Sequence, residues 1–166
     1  VYATTLGTPH LRSDFPIPAI MAGFPSYLRK AGYYCSNNVK TDYNTGREAD
    51  IVAASWDESS ARAHWRRRRP GQPFFAVFNY MGTHQMPTTI QPEAKAQKRL
   101  AGLPPEMRHD PQKADVPPYY PDTAEVRRML ARYADNIAML DHEHVARLLR
   151  ELEEDGVAGE TIVFFY

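Results

Sequence analysis

The sequence has very little cysteine and no long apolar stretch. Its 166 residues include one cysteine, Cys35, which excludes an internal disulfide and any zinc site built from several cysteines. The longest apolar runs, at residues 74–78 and 162–166, are far shorter than the ~20 residues that a membrane-spanning helix needs. The sequence therefore predicts no membrane span.

An excess of charge of either sign is also absent. Lys and Arg number 20, Asp and Glu number 20, and the formal net charge is zero. A neutral chain is a poor candidate for binding a polyanion over its whole surface. The basic run at residues 66–69 follows Trp65, but cations at the end of a helix are favoured by the helix dipole alone. We therefore expect no nucleic-acid partner.

What the sequence does contain is typical of a folded globular domain, with 43% hydrophobic and 24% charged residues. Its length predicts a single domain. Proline is abundant, at 14 residues, and six of them lie within residues 102–121. Because proline disrupts both helices and central strands, this segment is predicted to be a long ordered loop.

Hydrophobic periodicity predicts an alternation of helices and strands. Residues 122–155 follow a 3.6-residue period, with Asp122 as the predicted cap and Glu125 three residues later. Residues 74–80 form a continuous apolar run typical of a strand buried on both faces. The full prediction is helices at 24–30, 56–69 and 122–155 and strands at 33–36, 74–80 and 161–166.

This alternation favours an α/β fold in which helices cover both faces of a largely parallel sheet. Ligands of such sheets bind beyond the carboxyl ends of the strands. Lys40 follows the first strand, and His84 follows the second after the flexible Gly82. The pair could hold an anion and move a proton. Taken singly, each also fits an ordinary role, the lysine as a solvated charge and the histidine as a structural hydrogen-bonding group.

Two other groups are given structural interpretations. The DHEH sequence at 141–144 contains His142 and His144, which would face opposite sides of a helix. Joint metal ligation needs a spacing of three or four, as in H-E-x-x-H, so we predict no metal site there. Cys35, on a strand beside aromatic residues, is predicted to pack as a small apolar group.

Four segments carry a family resemblance when they are taken in order. They are FPSYLRKAGYY at 24–34, FFAVFNYMGTHQMP at 74–87, YADNIAMLDHEHVARLLREL at 133–152 and GVAGETIVFFY at 156–166. Together they resemble the type I sulfatases of the alkaline-phosphatase-like superfamily. Lys40 falls where that family has the lysine of its G-K-W-H signature. His84 falls where the family has a histidine that contacts the sulfate ester.

The resemblance implies a sulfuric ester hydrolase with a partial alkaline-phosphatase-like layered sheet. It implies a formylglycine nucleophile and a Ca²⁺ ion, Lys40 and His84 as catalytic and substrate-binding residues, and a sulfated small molecule or polysaccharide as substrate. His10 is a further candidate for lining the pocket, with a surface turn as its alternative. The sequence departs from the family pattern at Thr41 and Asp42, which stand where the family has tryptophan and histidine.

The family's nucleophile is a cysteine in the motif C-x-P-S-R. This motif does not occur in the sequence, which begins with Val1. Residues 1–166 are therefore expected to be the central part of a sulfatase catalytic domain, inactive alone, with the nucleophile and the metal ligands outside it. Two alternatives stay open: a phosphatase or phosphodiesterase of the same superfamily, and a non-catalytic fragment. The resemblance implies a periplasmic, secreted or lysosome-like location. It does not set the oligomeric state.

Overall fold

A computed structural model describes residues 14–15, 17–85 and 92–166 of the chain. The chain divides into two compact units, Val1–Asn79 and Tyr80–Tyr166. Among the described residues, no helix is both long enough and apolar enough to cross a membrane.

The first unit is built on a parallel sheet of three strands. β1 is Tyr34–Asn38, β2 is Glu58–Ser59 and β3 is Phe74–Phe78, with β1 in the centre of the order β2-β1-β3. β1 and β3 run in register from the pair Tyr34 and Phe74 to the pair Asn38 and Phe78. The predicted strands at 33–36 and 74–80 are confirmed, and their parallel direction brings their carboxyl ends to one edge.

Aromatic side chains of β3 fill both faces of this sheet, because successive residues of a strand point to opposite sides. On one face Phe75 stacks on Trp56, with ring centroids 5.9 Å apart, and meets the edge of Phe24 at 5.1 Å. On the other face Trp65 packs against Phe74 and Phe78, each at 5.6 Å. The apolar run at 74–78 thus packs against aromatic rings on both sides, although each of its residues stays partly exposed.

The first face is covered by two short helices. α1 is Pro25–Lys30, which confirms the helix predicted at 24–30, and it is followed by Gly32 at a φ of +96°. α2 is Glu48–Ser55, which the sequence reasoning did not predict. The side chain of Arg29 joins the two helices by donating to the carbonyl oxygens of Ala53 and Ala54, each at 2.9 Å.

The helix predicted at 56–69 is wrong. Trp56 lies just beyond the end of α2, and the segment then contains β2 and a short 3₁₀ turn, Trp65–Arg67. The hydroxyl of Ser60 donates to Glu58 at 2.7 Å and accepts from the amide of Arg62 at 3.1 Å. Such local bonds from serine side chains compete with helical hydrogen bonding, and the parallel pairing of β2 with β1 favours the extended form.

Helices dominate the second unit. α3 is Glu93–Arg99, α4 is Ala124–Met139 and α5 is Ala146–Glu154, with a π-helical segment, Leu140–Val145, joining α4 to α5. The helical prediction at 122–155 is confirmed apart from its first two residues and last residue. The cap is Thr123, whose hydroxyl accepts from the amide of Val126 at 3.2 Å, rather than the predicted Asp122.

The proline-rich segment at 102–121 contains two short 3₁₀ turns, Pro105–Met107 and Pro111–Lys113, and neither an α-helix nor a strand. Arg127 on α4 holds it by donating to the carbonyl oxygens of Gln112 and Ala114, at 3.0 and 3.1 Å. Near the start of the segment, Leu103 forms a buried apolar cluster with Leu100 and Met139. The segment is therefore attached to α4 by side-chain hydrogen bonds.

The strand predicted at 161–166 is also wrong. These residues adopt no regular structure, and Ile162, Phe164 and Phe165 are each at least 76% exposed. A strand is defined by its hydrogen-bonded neighbour. Within the described part of the chain no strand pairs with this segment, so its β-forming composition does not produce a strand.

Candidate active site

A cluster of asparagines marks the carboxyl edge of the sheet. Asn37, at the end of β1, is 1% exposed. Its side-chain amide donates to the carbonyl oxygen of Lys40 at 3.1 Å and to the hydroxyl of Ser59 at 3.0 Å. Its side-chain oxygen accepts from Asn79, just beyond β3, at 3.3 Å. One buried amide thus joins the ends of the three strands to the loop that carries Lys40.

The loop at residues 39–45 is held from its far side by α2. The carboxylate of Glu48 accepts from the hydroxyl of Thr41 and from the amide of Tyr43, the latter at 3.3 Å. Trp56 donates its indole N–H to the hydroxyl of Tyr43 at 2.7 Å. Burial raises the pKa of Tyr43, although the bond from Trp56 opposes that effect. The loop is therefore fixed at both ends.

Two residues of this loop have left-handed backbone conformations, Asp42 at a φ of 47° and Asn44 at 52°. Asp and Asn tolerate that region better than most residues because their short polar side chains bond locally. The turn places the carboxylate of Asp42 3.4 Å from the ammonium of Lys40. Asp42, one of the two residues that depart from the family pattern, therefore suits the shape of this loop.

Lys40 itself reaches solvent, with 44% of its side chain exposed, and the side chain of Asp42 is similarly exposed. An ion pair between exposed groups contributes little to stability. The ammonium can consequently turn from Asp42 to an arriving anion at small cost. The structure thus presents a cation on a fixed backbone at the edge where an α/β sheet binds its ligands.

His84 belongs to the second unit, in the turn at residues 81–85, where its backbone amide donates to the carbonyl oxygen of Met81 at 3.2 Å. The residue is exposed. The convergence of His84 and Lys40 on one pocket stays a prediction. His10, the other predicted pocket residue, lies outside the described residues, as do Met86 and Pro87 of the resemblance motif.

The DHEH sequence at 141–144 lies in the π-helical segment. Asp141, His142 and Glu143 are exposed, whereas the ring of His144 lies 5.3 Å from that of Tyr80. Burial lowers the pKa of His144. Among the residues that the structure describes, no group of three or more His, Cys, Asp or Glu side chains could hold a metal ion. The described carboxylates therefore do not gather as the ligands of one metal ion would.

Cys35 does not fit the role of a modified nucleophile either. It is fully buried in β1, and its thiol lies 3.6 Å from the carbonyl oxygen of Pro25. Burial raises the pKa of this thiol to about 11, so it is protonated and inert near neutral pH. The prediction that it packs as a small apolar group is confirmed.

A second polar cluster, which the sequence reasoning missed, lies in the second unit. The buried carboxylate of Asp135 accepts from the backbone amide of His109 at 2.8 Å and lies 2.9 Å from its ring nitrogen Nδ1. Arg108, Arg128 and Arg132 line the same cavity of about 330 Å³. The two partners are 26 positions apart, and no motif links them. The bonds of Asn37 and Asn79 in the first unit were equally unforeseen, although an asparagine directly after a predicted strand was a visible signal.

Comparison with known families agrees with the fold class. The sulfatase family model matches residues 23–166. A parallel sheet with helices packed against it places the first unit in the α/β class. The chain belongs to the sulfatase family, and its fold class is the partial α/β sheet of that family.

One curated relative is the ulvan-active sulfatase of Formosa agariphila. It is 36% identical to this chain over 202 residues, and the alignment covers the whole chain and 33% of the relative. The chain thus spans about a third of the length of that relative. No solved structure matches the chain.

Proposed function

We propose that the chain is the central part of a sulfuric ester hydrolase, to which it contributes Lys40 and His84. The observation that carries this proposal is the placement of Lys40. Its ammonium is exposed, while its backbone is tied to the buried end of β1 through Asn37. Membership of the sulfatase family supports a sulfate ester as the group that this lysine meets.

In this proposal, Lys40 acts on the sulfuryl group. When the bond between sulfur and the ester oxygen breaks, negative charge develops on the leaving oxygen and is shared by the other oxygens of the group. A fixed cation that contacts these oxygens stabilises the transition state more than the ground state. Asp42 would release the ammonium as the anion arrives, because their pair is exposed and weak.

His84 is assigned to the leaving group. The departing alkoxide must gain one proton to become an alcohol, and an imidazolium within hydrogen-bond reach can supply it. Formylglycine as nucleophile and Ca²⁺ as an electrophile would supply the remaining chemistry from segments outside this chain. The basis for placing them there is that neither Cys35 nor the described carboxylates fit those roles.

The substrate is proposed to be a sulfated small molecule or polysaccharide. The relative from Formosa agariphila is described as active on ulvan. From that relative we extend only the sulfate-ester chemistry to the present protein.

The test compares a chromogenic aryl sulfate with an aryl phosphate that has the same leaving group, so that only the transferred group differs. The full-length protein, assayed with Ca²⁺, should hydrolyse the sulfate faster. Faster turnover of the phosphate would contradict the proposal and favour a phosphatase of the same superfamily. The 166-residue chain alone should hydrolyse neither ester. If it did hydrolyse the sulfate ester, and if His84→Ala abolished that activity, then no nucleophile from outside the chain would be needed.

A further inference from the structure

Asn37 is the one described side chain that connects all three strand ends to the backbone of Lys40. It bonds to Ser59 on β2, to Asn79 beyond β3 and to the carbonyl oxygen of Lys40. These three bonds use both amide hydrogens and the amide oxygen. Because the side chain is buried and its rotation would break several bonds together, it holds the Lys40 carbonyl in one position relative to the sheet.

We propose that Asn37 is a positioning residue for Lys40, so that it sets where the ammonium meets the sulfuryl group without touching the substrate itself. This inference rests on the proposed function, because Lys40 must act on the substrate for its position to matter. Its structural basis is independent of that function, since the hydrogen bond joins Asn37 to the backbone of Lys40. The side chain of Lys40 takes no part in that bond.

The neighbouring Asn38 supplies a matched control. It is also at the end of β1, and its side-chain amide also donates to backbone carbonyl oxygens. Those acceptors are Ala61 at 3.0 Å and Ala63 at 3.5 Å, in the connection that follows β2. Loss of the Asn38 side chain therefore removes comparable hydrogen bonds from the same strand end while leaving the tie to Lys40 in place.

The expected catalytic effect follows from geometry. A displacement of about 1 Å in a group that contacts the reacting atoms can cost about 10²-fold in rate. Asn37→Ala in the full-length protein should therefore lower kcat/KM for a sulfate ester by up to about 10²-fold, mainly through kcat. Asn38→Ala should leave kcat/KM within a few fold of the wild-type value.

A double-mutant cycle distinguishes positioning from general support of the fold. If Asn37 acts through the side chain of Lys40, then Asn37→Ala should cause no further loss of activity in a Lys40→Ala background. A loss of the same size in both backgrounds would overturn the proposal. Asn37→Asp is the second variant in case alanine prevents folding. It keeps acceptors for Asn79 and Ser59 but, when ionised, offers no hydrogen to the Lys40 carbonyl.

Hydrogen exchange supplies a readout that does not need sulfatase activity. Amides at residues 39–43 should exchange faster in the Asn37 variants than in Asn38→Ala. Unchanged exchange there would overturn the structural half of the inference. If the exchange result is as expected but the wild-type protein hydrolyses no sulfate ester, the proposed function fails while the tie between Asn37 and Lys40 stands.

Discussion

The two units use side-chain hydrogen bonds for different purposes. In the first unit they converge on the loop at residues 39–45, where Asn37, Glu48 and Trp56 hold the segment that carries Lys40. In the second unit they attach the proline-rich segment to α4, through Arg127 and through Asp135. One network positions a candidate catalytic group, whereas the other replaces the regular structure that proline prevents.

The comparison predicts which property, activity or stability, a substitution in each unit should change. Loss of a bond in the first network should change activity more than stability, because its end point is a single functional side chain. Loss of a bond in the second should change stability first, because its end point is a long segment without helix or strand. The predictions below test this division, beginning with the largest expected effect.

His84 is the residue of the second unit for which we expect a catalytic effect. In the full-length protein, His84→Ala should lower kcat more than it raises KM, by about 10²–10⁴-fold, since a general acid acts where charge develops in the transition state. The loss should be larger for a sugar sulfate than for an activated aryl sulfate, whose leaving group needs little protonation. Kinetics on both substrates check this, and equal losses would mean that His84 binds sulfate rather than protonating the leaving group.

Asp135 tests the structural role of the second network. Asp135→Ala leaves the backbone amide of His109 without its acceptor and should lower the free energy of unfolding by about 1–3 kcal/mol. Chemical denaturation measures this. Asp141→Ala, at an exposed position, is the control and should change stability by less than about 0.5 kcal/mol. Equal effects of the two substitutions would mean that the bonds of Asp135 do not stabilise the second unit.

Replacing Cys35 should have the smallest of these effects, and the quantity it changes is the pH dependence of stability in the first unit. The pKa of Cys35 is raised in the fold to about 11 from 9.0, so the folded state favours the protonated thiol. The stability that this provides is complete below about pH 9 and is lost as the pH rises towards 11. Denaturation between pH 9 and pH 10 should show a decline, to which the half-buried Tyr34, Tyr43 and Tyr80 also contribute because burial raises the pKa of each. The decline should be smaller in Cys35→Ala, and an identical decline in the variant would contradict this assignment.

Prediction from sequence succeeded where local pattern and tertiary environment agree. The apolar run at 74–78 forms a half-buried strand of the sheet, and the 3.6-residue period after residue 122 forms helix. Prediction failed where tertiary pairing decides the outcome. The segment at 56–69 became a short strand and a 3₁₀ turn because β2 pairs with β1 and Ser60 bonds locally.

The candidate site was predictable only in part. Lys40 and His84, each just beyond a predicted strand, direct attention to the carboxyl edge of the sheet, and the family resemblance pointed to the same two residues. The bonds that fix Lys40 depend on Ser59 and Asn79, which are distant in sequence and meet only when the parallel sheet forms. His109 and Asp135 are also distant in sequence. Their pairing depends on the path of the proline-rich segment over α4, and no sequence periodicity predicts that path.

The role of Lys40 is the centre of this account, and one comparison tests it directly. Sulfate-ester hydrolysis by the full-length protein should be measured for the wild type, Lys40→Ala and Lys30→Ala, the last removing an exposed lysine near the end of α1. Removing a fixed group that stabilises transition-state charge typically costs about 10²–10³-fold in kcat. We expect that loss for Lys40→Ala and wild-type kinetics for Lys30→Ala. Wild-type turnover by Lys40→Ala would contradict the account.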